Sequence, residues 1–313
     1  MAGTKLAELP DELLLAILRQ LKGSNPAALL AIARVSRGVH PAAISTLYST
    51  IILDTLHRIR SLAEVASAGS PHLALVRNLS PWADLRQRSE DETMGQVNAI
   101  ITACPNLVSI QVSHTYLRDR DISELLHTRG IKEMFVWMAR DWTLVRNGLF
   151  SKIYLLHLAD LQSWAVHEAG SYRKRELWLD FLRDSLSPAH FPVLRMFSTT
   201  IAPSQFFNDS EATWVQDTLQ SFLAISSLER FVVRMVGPDT QLGQSQALVP
   251  FLVRLRSPKI RLLPYDERHP ILADNLLVWT HNAAGRTSMW NCGVQVYDPD
   301  QPNAFEPTIL EVC

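Results

Sequence analysis

The sequence predicts a mixed helix–strand chain in three parts: a three-helix module over residues 5–53, a larger α/β region over 54–297, and a tail at 298–313. Three observations predict this. Apolar residues before position 53 recur at helical spacing, those after it gather in short strand-like runs between helical stretches, and the runs return at intervals suited to a repeat. Alternating helix and strand admits two architectures, a solenoid of helix–strand units or a doubly wound sheet. The spacing favours an irregular solenoid.

The module opens with Leu9-Pro10-Asp11-Glu12 and continues through Leu13, Leu14, Ile17, Leu18 and Leu21, which form one broad stripe of a helix. Pro10 suits a helix start, and Asp11 and Glu12 suit the positive end of its dipole. Asn25-Pro26 is a second start signal, a cap residue before a proline, and the helix behind it carries Leu29, Leu30, Ile32 and Val35. Pro41 begins a third piece, Ala42 to Ile52, with Ile44, Leu47, Tyr48, Ile51 and Ile52. A unit of roughly 40 residues buries too little surface to be comfortable alone. Burying one Leu or Ile contributes roughly 1.5–3 kcal/mol. The leucines that find no room inside await either the rest of the chain or another polypeptide.

Leu9-Pro10-x-Glu12-Leu13-Leu14-x-x-Ile17-Leu18-x-x-Leu21, Leu29-x-x-Ile32-x-x-Val35-Ser36-Arg37 and Leu47-Tyr48 before Ile51-Ile52-Leu53 together resemble an F-box. The resemblance covers about a sixth of the chain. It departs from the family at Gly38-Val39-His40-Pro41, where a longer helical run with an aromatic is usual. It implies docking onto a Skp-type adaptor, and through it onto a cullin, within a ubiquitin ligase. The positions it places at that adaptor surface are Leu9, Pro10, Leu13, Leu14, Ile17, Leu18, Leu21, Val35, Ser36 and Leu47.

Beyond the module, strands are expected at 75–79, 107–112, 132–138, 152–158, 193–197, 229–236, 259–263 and 276–280. Helices are expected at 56–68, 94–103, 121–127, 173–186 and 211–224. Ile110 and Val112 alternate with Ser109, Gln111 and Ser113, the pattern of a strand with one covered face. Steps of 24 positions from Leu107 to Ile131 and 22 from Ile131 to Ile153 fall in the leucine-rich-repeat range, followed by longer steps of 41 and 34 to Leu194 and Leu228. Cys104-Pro105-Asn106-Leu107-x-x-Ile110-x-Val112 resembles the lead into a strand in leucine-rich-repeat F-box proteins. Phe191-Pro192-Val193-Leu194 and Ser226-Ser227-Leu228 echo it, without regular asparagine ladders. Residues 276–297 are expected to cap the array, and the charged 87–93 and polar 237–246 stretches to be loops.

Bulk properties narrow the function. Thirty basic residues stand against 31 acidic ones, so no global field draws the chain to nucleic acid or an anionic membrane. Its apolar runs are too short to span a bilayer, and Met1–Lys5 leads into an amphipathic helix rather than a signal-peptide core. Three dispersed cysteines, Cys104, Cys292 and Cys313, fit a reducing cytoplasmic or nuclear setting. No phosphate loop, nucleophile elbow, metal pair or redox pair is present, so no catalytic residue, metal or cofactor is expected. His157 and Cys104 read as structural. Most of the eight tryptophans read as core, whereas Trp82 and Trp142, at strand-to-loop positions, are the candidates for a target-facing rim.

The expectation is therefore a non-enzymatic substrate receptor: the first module holds the adaptor, and the second holds an unidentified target protein for ubiquitin-dependent degradation. The alternatives are an α/β ligand-binding or enzymatic domain with a helical extension, and an F-box scaffold acting outside degradation.

Overall fold

A computed structural model describes residues 9–35, 37–81, 90–113, 116–117, 120–138, 148–160, 187–201, 209–235, 252–263, 294–297 and 299–300. The chain is mixed helix and strand with parallel pairing, and it divides into two compact units between Gln111 and Val112.

Unit 1 begins with α1 (Asp11–Ser24), α2 (Pro26–Val35) and α3 (His40–Tyr48). Pro10 precedes α1 in extended geometry, and its carbonyl accepts from the Leu14 amide at 3.0 Å. Asn25 caps α2, its Oδ1 accepting from the Ala28 amide at 3.0 Å. Pro41 sits in the first turn of α3, as its sequence position predicts. His40 Nδ1 donates to the Ala33 carbonyl at 2.6 Å and ties the start of α3 to α2.

The third piece is not helical to its end. Thr50–Leu53 forms β1, which pairs in parallel with β2 (Asn78–Pro81), so the expected module boundary at residue 53 is crossed by a strand ladder. β-Branched Ile51 and Ile52 favour that extended state. Between β1 and β2 runs α4 (Leu56–Ser67), whose cap Thr55 accepts from the Arg58 amide at 3.3 Å. α5 (Glu90–Ala103) follows, then β3 (Ser109–Ser113), parallel to β2. Part of the charged stretch expected as a loop at 87–93 is the first turn of α5. Glu92 there lies near the positive end of the helix dipole.

Unit 2 contains α6 (Arg120–Arg129), β4 (Glu133–Met138), β5 (Leu155–Asp160), β6 (Met196–Ile201), α7 (Asp209–Leu223), β7 (Arg230–Met235), β8 (Ile260–Leu263) and β9 (Val294–Gln295). From β4 to β8 each strand pairs in parallel with its successor in the chain. A doubly wound sheet reverses its order at a switch point; among the described pairings of either unit none does so. β9 pairs antiparallel with β8 and covers part of its edge. The expected strand at 276–280 and helix at 173–186 lie outside the described residues, as does the stretch 237–246.

One local device recurs. The amides of Val76, Leu107, Ile153, Leu194 and Leu228 donate to the carbonyls of Leu73, Cys104, Phe150, Phe191 and Ile225, each three residues back, at 3.1–3.3 Å. In every case a strand starts two residues later. Nine of these ten residues are buried, Ile225 being half-buried. Apolar-x-x-apolar is thus a turn that plants two side chains under the sheet. Side chains also tie neighbouring turns: Asn106 Nδ2 donates to the Ala74 carbonyl at 2.8 Å, and Lys152 Nζ to the His127 carbonyl at 3.3 Å. Lys259 Nζ donates to the Leu223 and Ile225 carbonyls at 2.7 and 2.9 Å, behind α7.

Neither strand face is open in the middle. Leu79 and Ile110 in unit 1, and Met134, Leu156, Phe197, Phe231 and Ile260 in unit 2, are buried on one face. Ser80, Ser109 and Gln111, and likewise Phe135, His157, Ser198 and Val232, are buried on the other. The expectation that Ser109 and Gln111 mark an uncovered face is therefore corrected. Parallel strands covered on both faces lose clean alternation.

Candidate functional site

The first three helices sort their apolar residues into two sets. Leu14, Leu18, Leu29, Ala33, Val39 and Ala43 form a buried core, with Leu9, Leu21, Ile32, Ile44 and Leu47 packed against it. Leu13, Ile17 and Leu30 face outward with 55%, 39% and 40% of their surface exposed. The helical repeat explains the partition. Leu14 and Leu18 are one turn apart on the inner face, and Leu13 and Ile17 are one turn apart on the next row, 100° around the helix. A stripe of five apolar residues is too wide for one small core, and its outer edge is left in water.

The sequence-derived positions fall accordingly. Leu13 and Ile17 are exposed apolar residues, and Pro10 is exposed beside them. Leu9, Leu21 and Leu47 are half-buried. Leu14 and Leu18 are corrected: both are sealed in the core of the same unit and support the outer row from beneath. The Val35 side chain, Ser36, Trp82 and Trp142 lie outside the described residues. Leu30 completes the outer set. The sequence held its signal in the Leu29-Leu30 pair, whose side chains point 100° apart around the helix, one inward and one outward.

Lys22 fixes the end of α1 against the α3–β1 junction. Its Nζ donates to the Thr46 carbonyl at 2.9 Å, Ser49 Oγ at 3.3 Å and the Thr50 carbonyl at 3.1 Å, three neutral acceptors. Burial lowers the Lys22 pKa to about 8. The unfolded chain therefore binds a proton that the folded chain has released between pH 8 and about 10.5. Lys22 should add stability as pH rises through that window and lose it as pH falls back toward 8. Urea titrations from pH 7.5 to 10.5 are expected to show wild-type stability rising relative to Lys22→Met, and parallel curves would contradict this.

The remaining chemistry is sparse. Cys104 is a buried cysteine. His157 is buried on β5 with its ring 6.0 Å from that of Phe135. Among the described residues no three metal-ligating side chains come together, and no helix is long and apolar enough to cross a membrane. Two exposed ion pairs, Arg58–Asp54 and Arg60–Glu92, contribute little individually. No family model matches the chain, and no curated protein matches it in sequence.

Proposed function

We propose that the chain is a substrate-receptor subunit of a Skp–cullin–F-box ubiquitin ligase. The outer row of α1 and α2 takes a Skp-type adaptor, and the downstream helix–strand units form an irregular leucine-rich-repeat-like array that takes a target protein. The observation that carries the reading is the apolar set Leu13, Ile17 and Leu30, solvent-facing on top of a complete internal core. Exposed leucines on adjacent helices, with a proline at the helix start, fit helix packing against another polypeptide. Successive parallel pairing and the recurring turn support the array.

In this role the chain supplies proximity and no bond-making group: it raises the effective concentration of a target lysine near a ubiquitin-loaded enzyme. Co-expression tests the first half. The full chain is expected to co-purify with a Skp-type adaptor at one to one and to gain solubility from it. A chain that is soluble alone and ignores the adaptor would overturn the reading.

A further inference from the structure

The β8–β9 pair leads one charged stretch of unit 2 toward another of opposite sign. Residues 252–263, which include β8, carry Arg254, Arg256, Lys259 and Arg261 and no acidic residue. Residues 298–313 carry Asp298, Asp300, Glu306 and Glu311 and no basic one. β9 runs antiparallel to β8, with Val294 opposite Leu262 and Gln295 opposite Arg261. The Val296 amide then donates to the Ile260 carbonyl at 3.4 Å, and Gln295 Nε2 to the Tyr297 carbonyl at 2.9 Å. The chain is thus heading back past the start of β8 when its acidic stretch begins.

The turn before β8 is basic and open. Arg254 and Arg256 are exposed, and among the described residues no ion pair reaches either. Arg261 Nη1 donates to the Pro258 carbonyl at 3.4 Å, which brings a third guanidinium to the same turn. Arg256 follows the helical turn at 252–254 with φ of 47°, in the left-handed region where glycine is the unstrained residue. Backbone strain kept at an exposed arginine points to a use for its charge.

We infer that the turn at 254–261 is a docking site for an acidic segment, and that its occupant is this chain's own stretch 298–313. The inference does not depend on what the first helices bind. Exposed ion pairs are individually weak, so a free acidic peptide holds poorly on three cations, whereas a tethered one acts at an effective concentration in roughly the millimolar range. Reach is ample, since the nine residues from Tyr297 to Glu306 span up to about 30 Å when extended. A nucleic-acid backbone needs a continuous basic track, and the acidic stretch leaving β9 would repel it. Docking of 298–313 closes the turn to acidic segments of other proteins.

A photo-activatable cross-linker at exposed position 258 of the full chain tests this. An equal mixture of isotopically light and heavy copies is irradiated, and adducts are mapped by mass spectrometry. Adducts are expected on 298–313 within one copy, falling roughly fivefold from about 0.1 M to about 1 M salt as the screening length shortens from about 10 to about 3 Å. Arg254→Glu with Arg256→Glu should remove them, and adding Glu306→Lys with Glu311→Lys should bring them back. Arg256→Gly should weaken them by roughly twofold while the melting temperature holds, because glycine fits the left-handed backbone.

Adducts confined to other segments, or formed only between light and heavy copies, would overturn the inference. So would adducts on 298–313 that neither salt nor the arginine reversals change. Adducts abolished by the reversals with no recovery in the charge-swapped chain would count against it equally.

Discussion

Replacing Leu13 and Ile17 together by aspartate is expected to weaken adaptor capture by roughly a hundredfold or more while leaving unit 1 folded. Each side chain, once fully covered by a partner, contributes about 1.5–3 kcal/mol, and every 1.4 kcal/mol is about tenfold in affinity. A carboxylate at either position adds the cost of burying a charge against an apolar surface. Leu13 is 55% and Ile17 39% exposed in the free chain and neither belongs to the buried core, so the substitution leaves that core in place. Leu18→Ala should do the reverse. Leu18 is fully buried at the centre of the three-helix core, and its loss should cost about 2–5 kcal/mol of stability. Capture at low temperature should then survive as long as the unit stays folded. Circular-dichroism melts beside a pull-down distinguish the two variants. A double aspartate variant that melts early, or that still captures adaptor, would contradict the partition.

The second large effect is expected in unit 2 from Phe222→Ala. Phe222 is the helix-side centre of an aromatic cluster. Its ring meets Phe191 at 5.7 Å and Phe197 at 5.2 Å edge-on, with Phe231 at 6.3 Å. Phe197 and Phe231 stack at 5.5 Å across β6 and β7, in register with each other. On α7, beside buried Leu219 and Leu223, Phe222 therefore reaches both strands and the turn before them. Truncation should cost about 3–5 kcal/mol for the lost burial and the cavity left behind, with edge-to-face pairs adding about 0.5–1.5 kcal/mol each. For a unit of this size that is a fall in melting temperature of roughly 10 °C or more. Phe222→Leu should recover part of the loss, since it refills volume without the ring contacts. A melt unchanged by Phe222→Ala would show that α7 is held elsewhere.

Much of the fold was legible because burial imposes a period. The helices at 56–67, 120–129 and 209–223 and the strands at 133–138 and 230–235 lie within a few residues of where apolar periodicity puts them. Strand starts were less legible. Leu75 and Val193 look like strand residues, yet they belong to the turn that plants Leu73 with Val76 and Phe191 with Leu194. Its short i to i−3 bonds leave no periodic mark beyond the two apolar positions. The sequence shows that pair at 104–107 and 191–194 beside a proline, but hides it at 73–76 and 150–153 among other apolar residues. Polar Ser109 and Gln111 misled for a related reason: alternation reports side-chain chemistry, whereas burial depends on what covers the sheet. In the first module the stripe itself was plain. Its division into an inner and an outer row was not, because Leu13 and Leu14 are chemically identical and differ only by 100° of rotation.

The proposed docking row has a control within the same unit. Val65 on α4 is as exposed as Leu30, at 40%, yet lies outside the outer row of α1 and α2. A photo-activatable cross-linker placed in turn at 17, 30 and 65 of the full chain, irradiated with a Skp-type adaptor, is the most direct test. Adaptor adducts are expected from 17 and 30 and none from 65. Adducts from 65 alone, or from no position, would contradict docking through this row.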